Sequence, residues 1–366
     1  MKIVIATPLY PPELGGPATY AKILFEELPK QGIEVELVKF GDVRHLPKIV
    51  RHIAYFLRVR RALARADVAL ALDPVSVGLP TCVAAWTLRK PFVVKVVGDY
   101  AWEQGRQRFG IKDTLDDFTR TKRAPFFVRF LRSVQTRVAR RAHTIIVPGE
   151  YLKKIVFAWG VPKEKIHVVH NAISLEKTGS VPSQVERLYR PLVVCAGRLV
   201  PWKNMDKVID AVASLHKKGI KTSLVVVGDG PERATLASHA EKKLGSACVF
   251  TGAQSHADML AILKYTDVFV LNSSYEGLSH MLIEAQTLGV PTVATKVGGN
   301  TEIITDNENG LLVPYGDFDA LPFAISRILS DKSLKSRLSA SAKASSSRFS
   351  INVMLDGIVS VLDEFK

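Results

Sequence analysis

The chain has 366 residues, 50 Lys and Arg against 35 Asp and Glu, and a formal net charge of +15. With 47% of its residues apolar it can bury one or two cores, which excludes wholesale disorder, and its length suits two domains. The three scattered cysteines, Cys82, Cys195 and Cys248, exclude a disulfide framework and a zinc site; they read as small buried hydrophobes in a reducing cytoplasm.

In chain order, short apolar runs at 2–6, 35–40, 68–72, 92–97 and 144–147 read as buried strands. Their near-continuous hydrophobicity predicts a parallel sheet covered on both faces. Helical patterns fill 18–31 and 48–66. The first apolar run is short and ends in prolines, so no signal peptide is expected. The least charged stretch, 68–88, contains Asp73, Pro74, Gly78 and Pro80. A membrane span needs about 20 mostly apolar residues without such breakers, so none is expected. A second strand series follows at 192–196, 223–227, 247–251, 268–271 and 292–294, each run leading into a helical pattern.

Two consecutive βα series predict an α/β fold of two doubly wound Rossmann-like domains facing a central cleft. The first domain is assigned to residues 1–175 and the second to 176–345, with Gly179, Ser180, Pro182 and Ser183 marking the linker. A closing helix takes 346–366, with packing back on the first domain as one option, and the serines at 345–347 join the last two helices. Ligands of such sheets bind at the carboxyl ends of the strands, so informative residues are sought there.

Four strand-end motifs stand out. Gly15-Gly16-Pro17 follows the first strand and opens a helix. It is either a tight turn or a place where backbone N–H groups meet a phosphate. The Rossmann GxGxxG pattern is absent, which speaks against a dinucleotide. In CAGRLVPWKN, residues 195–204, Arg198 and Lys203 stand five apart before a helix. They suit a diphosphate; the alternative is two solvated loop cations, with Trp202 as a packing residue. In NSSYEGLSHMLIE, residues 272–284, Glu276 precedes a helix start and Glu284 lies inside the helix. Carboxylates flanking a helix start can grip sugar hydroxyls on either side of an anion, although acidic residues also favour a first turn through the dipole alone. Residues 296–302, KVGGNTE, allow close backbone approach, and 227–232, VGDGPE, read as a structural turn.

Together these motifs, with GVPTVAT and NGLLVPYGD, resemble the GT-B fold retaining glycosyltransferases of family 4, the group 1 glycosyl transferases, over nearly the whole chain. The resemblance implies a hexosyltransferase. It implies that Arg198 and Lys203 bind the donor diphosphate, that Glu284 receives the ribose hydroxyls and that Glu276 contacts the donor sugar. Backbone groups of Gly277, Leu278, Ser279 and His280 would approach phosphate and sugar, with Gly15 and Gly16 approaching from the other domain. Gly252, Ala253 and Gln254 would border the base. The implied donor is a nucleotide sugar, a UDP-sugar first and GDP-mannose next. No DxD pair sits in a suitable place and the histidines lack ligand spacing, so no metal or other cofactor is expected: fixed cations and helix dipoles suffice for the leaving diphosphate. Asp99 stands where relatives carry a histidine near the donor sugar; it reads either as a catalytic contact to sugar or acceptor or as a loop or cap residue. Trp102 and Glu103 are assigned to the acceptor side. His170-Asn171-Ala172, Gly149 and the Asn300-Thr301 pair also depart from the family pattern.

The charge is uneven. Residues 1–180 hold 30 basic and 16 acidic side chains; residues 181–366 hold 20 and 19. Two stretches, 44–65 and 120–141, carry seven and eight basic residues and no acid, interleaved with Ile49, Ile53, Phe56, Phe126, Phe127 and Phe130. Basic amphipathic helices of this kind lie on anionic lipid, or else are covering helices with solvated basic faces. The expectation is a cytoplasmic protein, peripheral on the inner face of the cell membrane, with a lipid-linked or membrane-proximal acceptor. Nucleic acid is not expected, because helix-turn-helix, RRM, KH and zinc-finger signatures are absent. The alternatives are a soluble acceptor, a GT-B nucleotide-sugar epimerase or hydrolase, and a non-catalytic nucleotide-sugar or membrane-binding module.

Overall fold

The computed structural model describes residues 1–13, 15–121, 123–173 and 179–366. It divides into two units: Met1–Ala172 with Ile351–Lys366, and Ile173–Ser350. The expected 175/176 boundary and Lys122 of the second basic run lie outside the described residues.

The first unit carries strands β1 (Lys2–Thr7), β2 (Glu34–Lys39), β3 (Val68–Ala71), β4 (Phe92–Lys95), β5 (Thr144–Val147) and β6 (Ile166–Val168). Its helices are α1 (Gly16–Glu27), α2 (Lys48–Leu63), α3 (Gly78–Leu88), α4 (Tyr100–Arg108), α5 (Leu115–Arg120), α6 (Phe126–Arg141) and α7 (Glu150–Ala158). The sheet is parallel, ordered β2-β1-β3-β4-β5-β6. Every residue of β3, β4 and β5 is buried, as strands covered on both faces require. Edge strand β2 is mostly half-buried, and its Glu34 pairs with Lys2 at 2.7 Å.

The second unit repeats the plan with β7 (Leu192–Ala196), β8 (Ser223–Val227), β9 (Cys248–Gly252), β10 (Val268–Leu271), β11 (Thr292–Thr295) and β12 (Leu311–Val313). Its helices are α8 (Ser183–Glu186), α9 (Met205–Lys217), α10 (Arg233–Leu244), α11 (His256–Lys264), α12 (His280–Leu288), α13 (Asn300–Ile303), α14 (Ala320–Ser330) and α15 (Lys332–Ser345). The parallel order is β12-β11-β10-β7-β8-β9. Central strand β7 is buried throughout, and two apolar clusters cover its two faces.

The closing helix α16 (Ile351–Asp363) belongs to the first unit. Its Met354, Leu355 and Ile358 join Ile3, Leu24 and Leu70 in that core. Residues 346–349, read from sequence as part of the closing segment, form a 3-10 turn that stays with the second unit.

Other differences have local causes. Strands β6 and β12 were not anticipated; three residues are too few to show a period. The helix read over 18–31 begins two residues earlier and stops at Glu27, and a 3-10 turn takes Leu28–Gln31. Pro29 has no N–H to continue the α-helical ladder. Cys82 and Cys195 are buried, but Cys248, on edge strand β9, is only half-buried. Among the described residues no helix is long and apolar enough to cross a membrane.

Candidate active site

The loops after β7 and β10 are tied together by their backbones. Ser274 N–H donates to the Trp202 carbonyl at 2.7 Å. Asn204 and Asn272 exchange amide-to-carbonyl bonds at 3.3 Å in each direction. Asn204 holds a left-handed conformation (φ 45°), which asparagine tolerates better than most residues. This clamp brings two distant side chains together. Lys203 Nζ lies 2.5 Å from Glu276 Oε1, and Ser273 Oγ donates to the same oxygen at 2.5 Å. The Lys203 and Glu276 side chains are only 16% and 11% exposed, so water screens the pair weakly.

A third loop, after β11, closes on the same place. Gly299 N–H donates to the Glu276 carbonyl at 2.9 Å. A Cβ on Gly299 would stand 2.1 Å from the Gly277 carbonyl oxygen, so only glycine permits this approach. Asn300 is buried and donates to the Thr295 carbonyl at 3.0 Å, while Thr301 is exposed. Gly277, Leu278 and Ser279 are buried on the way into α12. Ser279 caps that helix by accepting from Leu282 N–H at 3.3 Å. The α12 N-terminus, with its partial positive charge, thus begins four residues after Glu276.

Glu284 sits one turn into α12, its side chain almost wholly buried. One oxygen lies 2.9 Å from His256 Nε2; the other is buried and has no hydrogen-bond partner among the described residues. An unsatisfied buried carboxylate oxygen is costly and suits a ligand hydroxyl donor. His256 opens α11, immediately beyond the Gly252, Ala253 and Gln254 loop, so that loop and Glu284 share one neighbourhood. Gln254 folds back to donate to the Thr251 carbonyl at 2.8 Å. His256 was missed from sequence. The signal the sequence carries for it is its place two residues past Gln254. Arg198 is exposed, with no ion-pair partner among the described residues.

The remaining assigned residues lie in the first unit. Gly15 precedes α1 with φ 133°, a conformation that favours glycine, and its carbonyl accepts from Ala18 and Thr19; Gly16 is the first residue of the helix. Asp99 is buried and caps α4, accepting from Trp102 N–H at 2.9 Å. Burial raises its carboxyl pKa. Trp102 is packed in the core, with its indole N–H bonded to the Asp113 carbonyl at 3.0 Å. Glu103 lies half-buried in the first turn of α4. The loops after β7, β10 and β11 thus meet at Lys203, Glu276 and Gly299, and Glu284 meets His256 beside the loop after β9. Arg198 is outside these contacts among the described residues, and Asp99 and Trp102 have local partners. Among the described residues no three His, Cys, Asp or Glu side chains gather as metal ligands.

Comparison with known proteins bears on this arrangement. The family model for glycosyl transferases group 1 matches residues 180–345, and the glycosyl transferase 4-like domain matches 15–172. The chain is 30% identical over 210 residues to the 2-deoxystreptamine glucosyltransferase of Streptomyces kanamyceticus, a match covering 54% of each chain. It therefore spans about half the length of that relative, and similar or smaller shares of several others. A GDP-mannose-dependent alpha-mannosyltransferase of Mycobacterium tuberculosis is 25% identical over 351 residues, 91% of this chain and 89% of that one. Among solved structures, HepE of Anabaena in complex with UDP-glucose superposes with a TM-score of 0.78 at 19% identity, covering all of both chains. That likeness establishes the fold.

Proposed function

We propose that this chain, which belongs to the group 1 glycosyl transferases with a transferase 4-like first half, moves a hexose from a nucleoside diphosphate hexose to an acceptor hydroxyl. The observation that carries this reading is the largely buried Lys203–Glu276 pair, 16% and 11% exposed, beside the α12 N-terminus, with a Glu284 oxygen left without a partner among the described residues one turn on. Glu284 takes ribose hydroxyls, and Glu276 orients the sugar. Lys203, Arg198 and the α12 N–H groups hold the diphosphate.

In the reaction the bond from the anomeric carbon to the diphosphate oxygen breaks, and a bond to the acceptor oxygen forms on the same face. The acceptor proton passes to the departing phosphate. Charge develops on the leaving group, where Lys203 and the helix end are already fixed, so little reorganisation is required there, and the exposed Arg198 closes on the diphosphate when the donor binds. This assignment retains anomeric configuration and needs no metal.

A UDP-hexose is the first reading of the donor. GDP-mannose is the second, favoured by the mannosyltransferase that aligns along most of the chain. The first unit takes the acceptor. Its basic helices favour an acceptor that is lipid-linked or close to the inner face of the cell membrane over a soluble one.

A thermal-shift screen of UDP-, GDP- and ADP-hexoses tests the reading, because a donor that binds only the folded state raises its melting temperature. One donor should raise it, and Lys203→Ala should remove the rise. Silence for all three would overturn the donor-site assignment. Turnover should persist in excess chelator; its loss would overturn metal independence.

A further inference from the structure

Three helices of the first unit expose apolar side chains near one end. α2 presents Ile49, 77% exposed, with Ile53 and Leu57 one and two turns on. α3 presents Leu79 and Val83, and α6 presents Phe126, 84% exposed, with Phe127 and Phe130. Single exposed apolar residues need no explanation, but a cluster of large ones marks an interaction surface. The N-terminal halves of these helices enclose a groove of about 880 Å³, with Ile49, Ile53, Phe56, Leu79, Phe127 and Phe130 in its wall. A cavity of this size accommodates a ligand of many atoms.

The groove is also cationic. Arg44, Lys48, Arg51 and Arg108 line it, and no acidic side chain among the described residues does. Arg44 is paired with Glu13; the other three have no acidic partner among the described residues. The Arg51 Nε is buried without a hydrogen-bond partner, and its guanidinium stands 5.7 Å from the centre of the Phe40 ring. The groove's place is informative. α2 and α3 begin after β2 and β3, and α6 runs down to β5, so all three N-terminal halves lie at the carboxyl end of the sheet, where doubly wound folds take ligands.

We infer that this groove seats an acyl chain of an anionic phospholipid, with the headgroup phosphate on Lys48, Arg51 and Arg108, docking the first unit on an anionic bilayer. The inference deepens the membrane-proximal acceptor proposed above and rests on that reading for its purpose. The chemistry is that of an amphiphile. Apolar walls gain by leaving water, and the cations gain from a phosphate and from a negative surface. Nucleic acid would use the cations and leave Ile49, Ile53 and Phe126 in water.

Flotation with phosphatidylcholine vesicles, with and without phosphatidylglycerol, tests the docking without donor or acceptor. The protein should float only with phosphatidylglycerol, and high salt should weaken binding. Lys48→Gln with Arg51→Gln should weaken it about tenfold or more, at roughly 1 kcal/mol per cation. Ile53→Glu with Phe130→Glu, both exposed positions, should weaken it at least as much while the thermal melt stays near that of the parent. Phe130→Trp should gain fluorescence that bromoacyl phosphatidylglycerol quenches beyond the quenching seen in the parent chain. No flotation at low salt overturns the inference. So does full binding by the double-Glu variant, Phe130→Trp fluorescence that is not quenched, or displacement by an oligonucleotide that the Glu substitutions leave unchanged. Turnover on a soluble acceptor without vesicle binding would sink the docking and spare the transferase; vesicle binding with no turnover on any donor would do the reverse.

Discussion

Each unit places a lysine and a buried carboxylate after a strand's carboxyl end or at it, the lysine fully buried in the first unit and partly buried in the second, and the two units hold them in opposite ways. In the second, Lys203 and Glu276 meet at 2.5 Å, with Ser273 bonded to the same oxygen. In the first, Lys95 ends β4 and Asp99 follows four residues later, yet the two are held apart in role. Lys95 Nζ has no hydrogen-bond partner among the described residues and lies 3.9 Å from the centre of the Tyr20 ring. Burial lowers its pKa to about 7. Asp99 caps a helix, and burial raises its carboxyl pKa. A paired charge can remain charged where water is scarce and is then available to a ligand. An unpaired one is pushed toward its neutral form. The comparison teaches that a strand-end position alone does not make a site; the partner across the loop does.

The largest expected effect comes from breaking the second unit's pair. Lys203→Ala should cut turnover by about a hundred- to a thousand-fold, the range for removing one fixed group that stabilises transition-state charge. Glu276→Ala should fall as far, with circular dichroism unchanged. Near-normal turnover in either variant would dissolve the contrast between the units.

Next comes Lys95. Its folded pKa lies below its unfolded value of about 10.5, so between about pH 7 and pH 10.5 the unfolded chain binds the extra proton and stability rises with pH. Lys95→Met should flatten that rise and increase the melting temperature at pH 6. An unchanged slope in thermal melts between pH 6 and pH 9 would show that Lys95 is not the group responsible.

The smallest effect sharpens Asp99. Asp99→Ala should cost about 1 kcal/mol through loss of the cap. Asp99→Asn keeps an acceptor for Trp102 N–H and removes the buried charge, so it should be as stable as the parent in urea unfolding. Its turnover is the deciding readout. A fall matching that of Glu276→Ala would move Asp99 from the cap to the reacting sugar.

Much of this was legible in the sequence. The central strands read as such because β3, β4, β5 and β7 are buried on every residue, and continuous apolar runs leave little else to choose. The loops after β7, β10 and β11 were legible because glycine, proline or charged residues interrupt the apolar runs at 197–204, 272–280 and 296–300. Edge strands β6 and β12 were not, because three residues carry no period. His256 was not, because its meaning lies in a 2.9 Å contact with a residue 28 positions away.

By itself the sequence determined two parallel α/β units, the strand-end motifs, and a charge surplus confined to the first half of the chain. Those properties follow from local periodicity and composition, which each segment carries with it. Only tertiary structure decided that Lys203 grips Glu276, that Glu284 keeps one buried oxygen open, and that the closing helix returns to the first unit. Only it showed that two acid-free helices and α3 enclose one apolar, cationic groove. Those facts depend on side chains tens to hundreds of residues apart meeting within a few ångströms, and that proximity is set by strand order and loop closure.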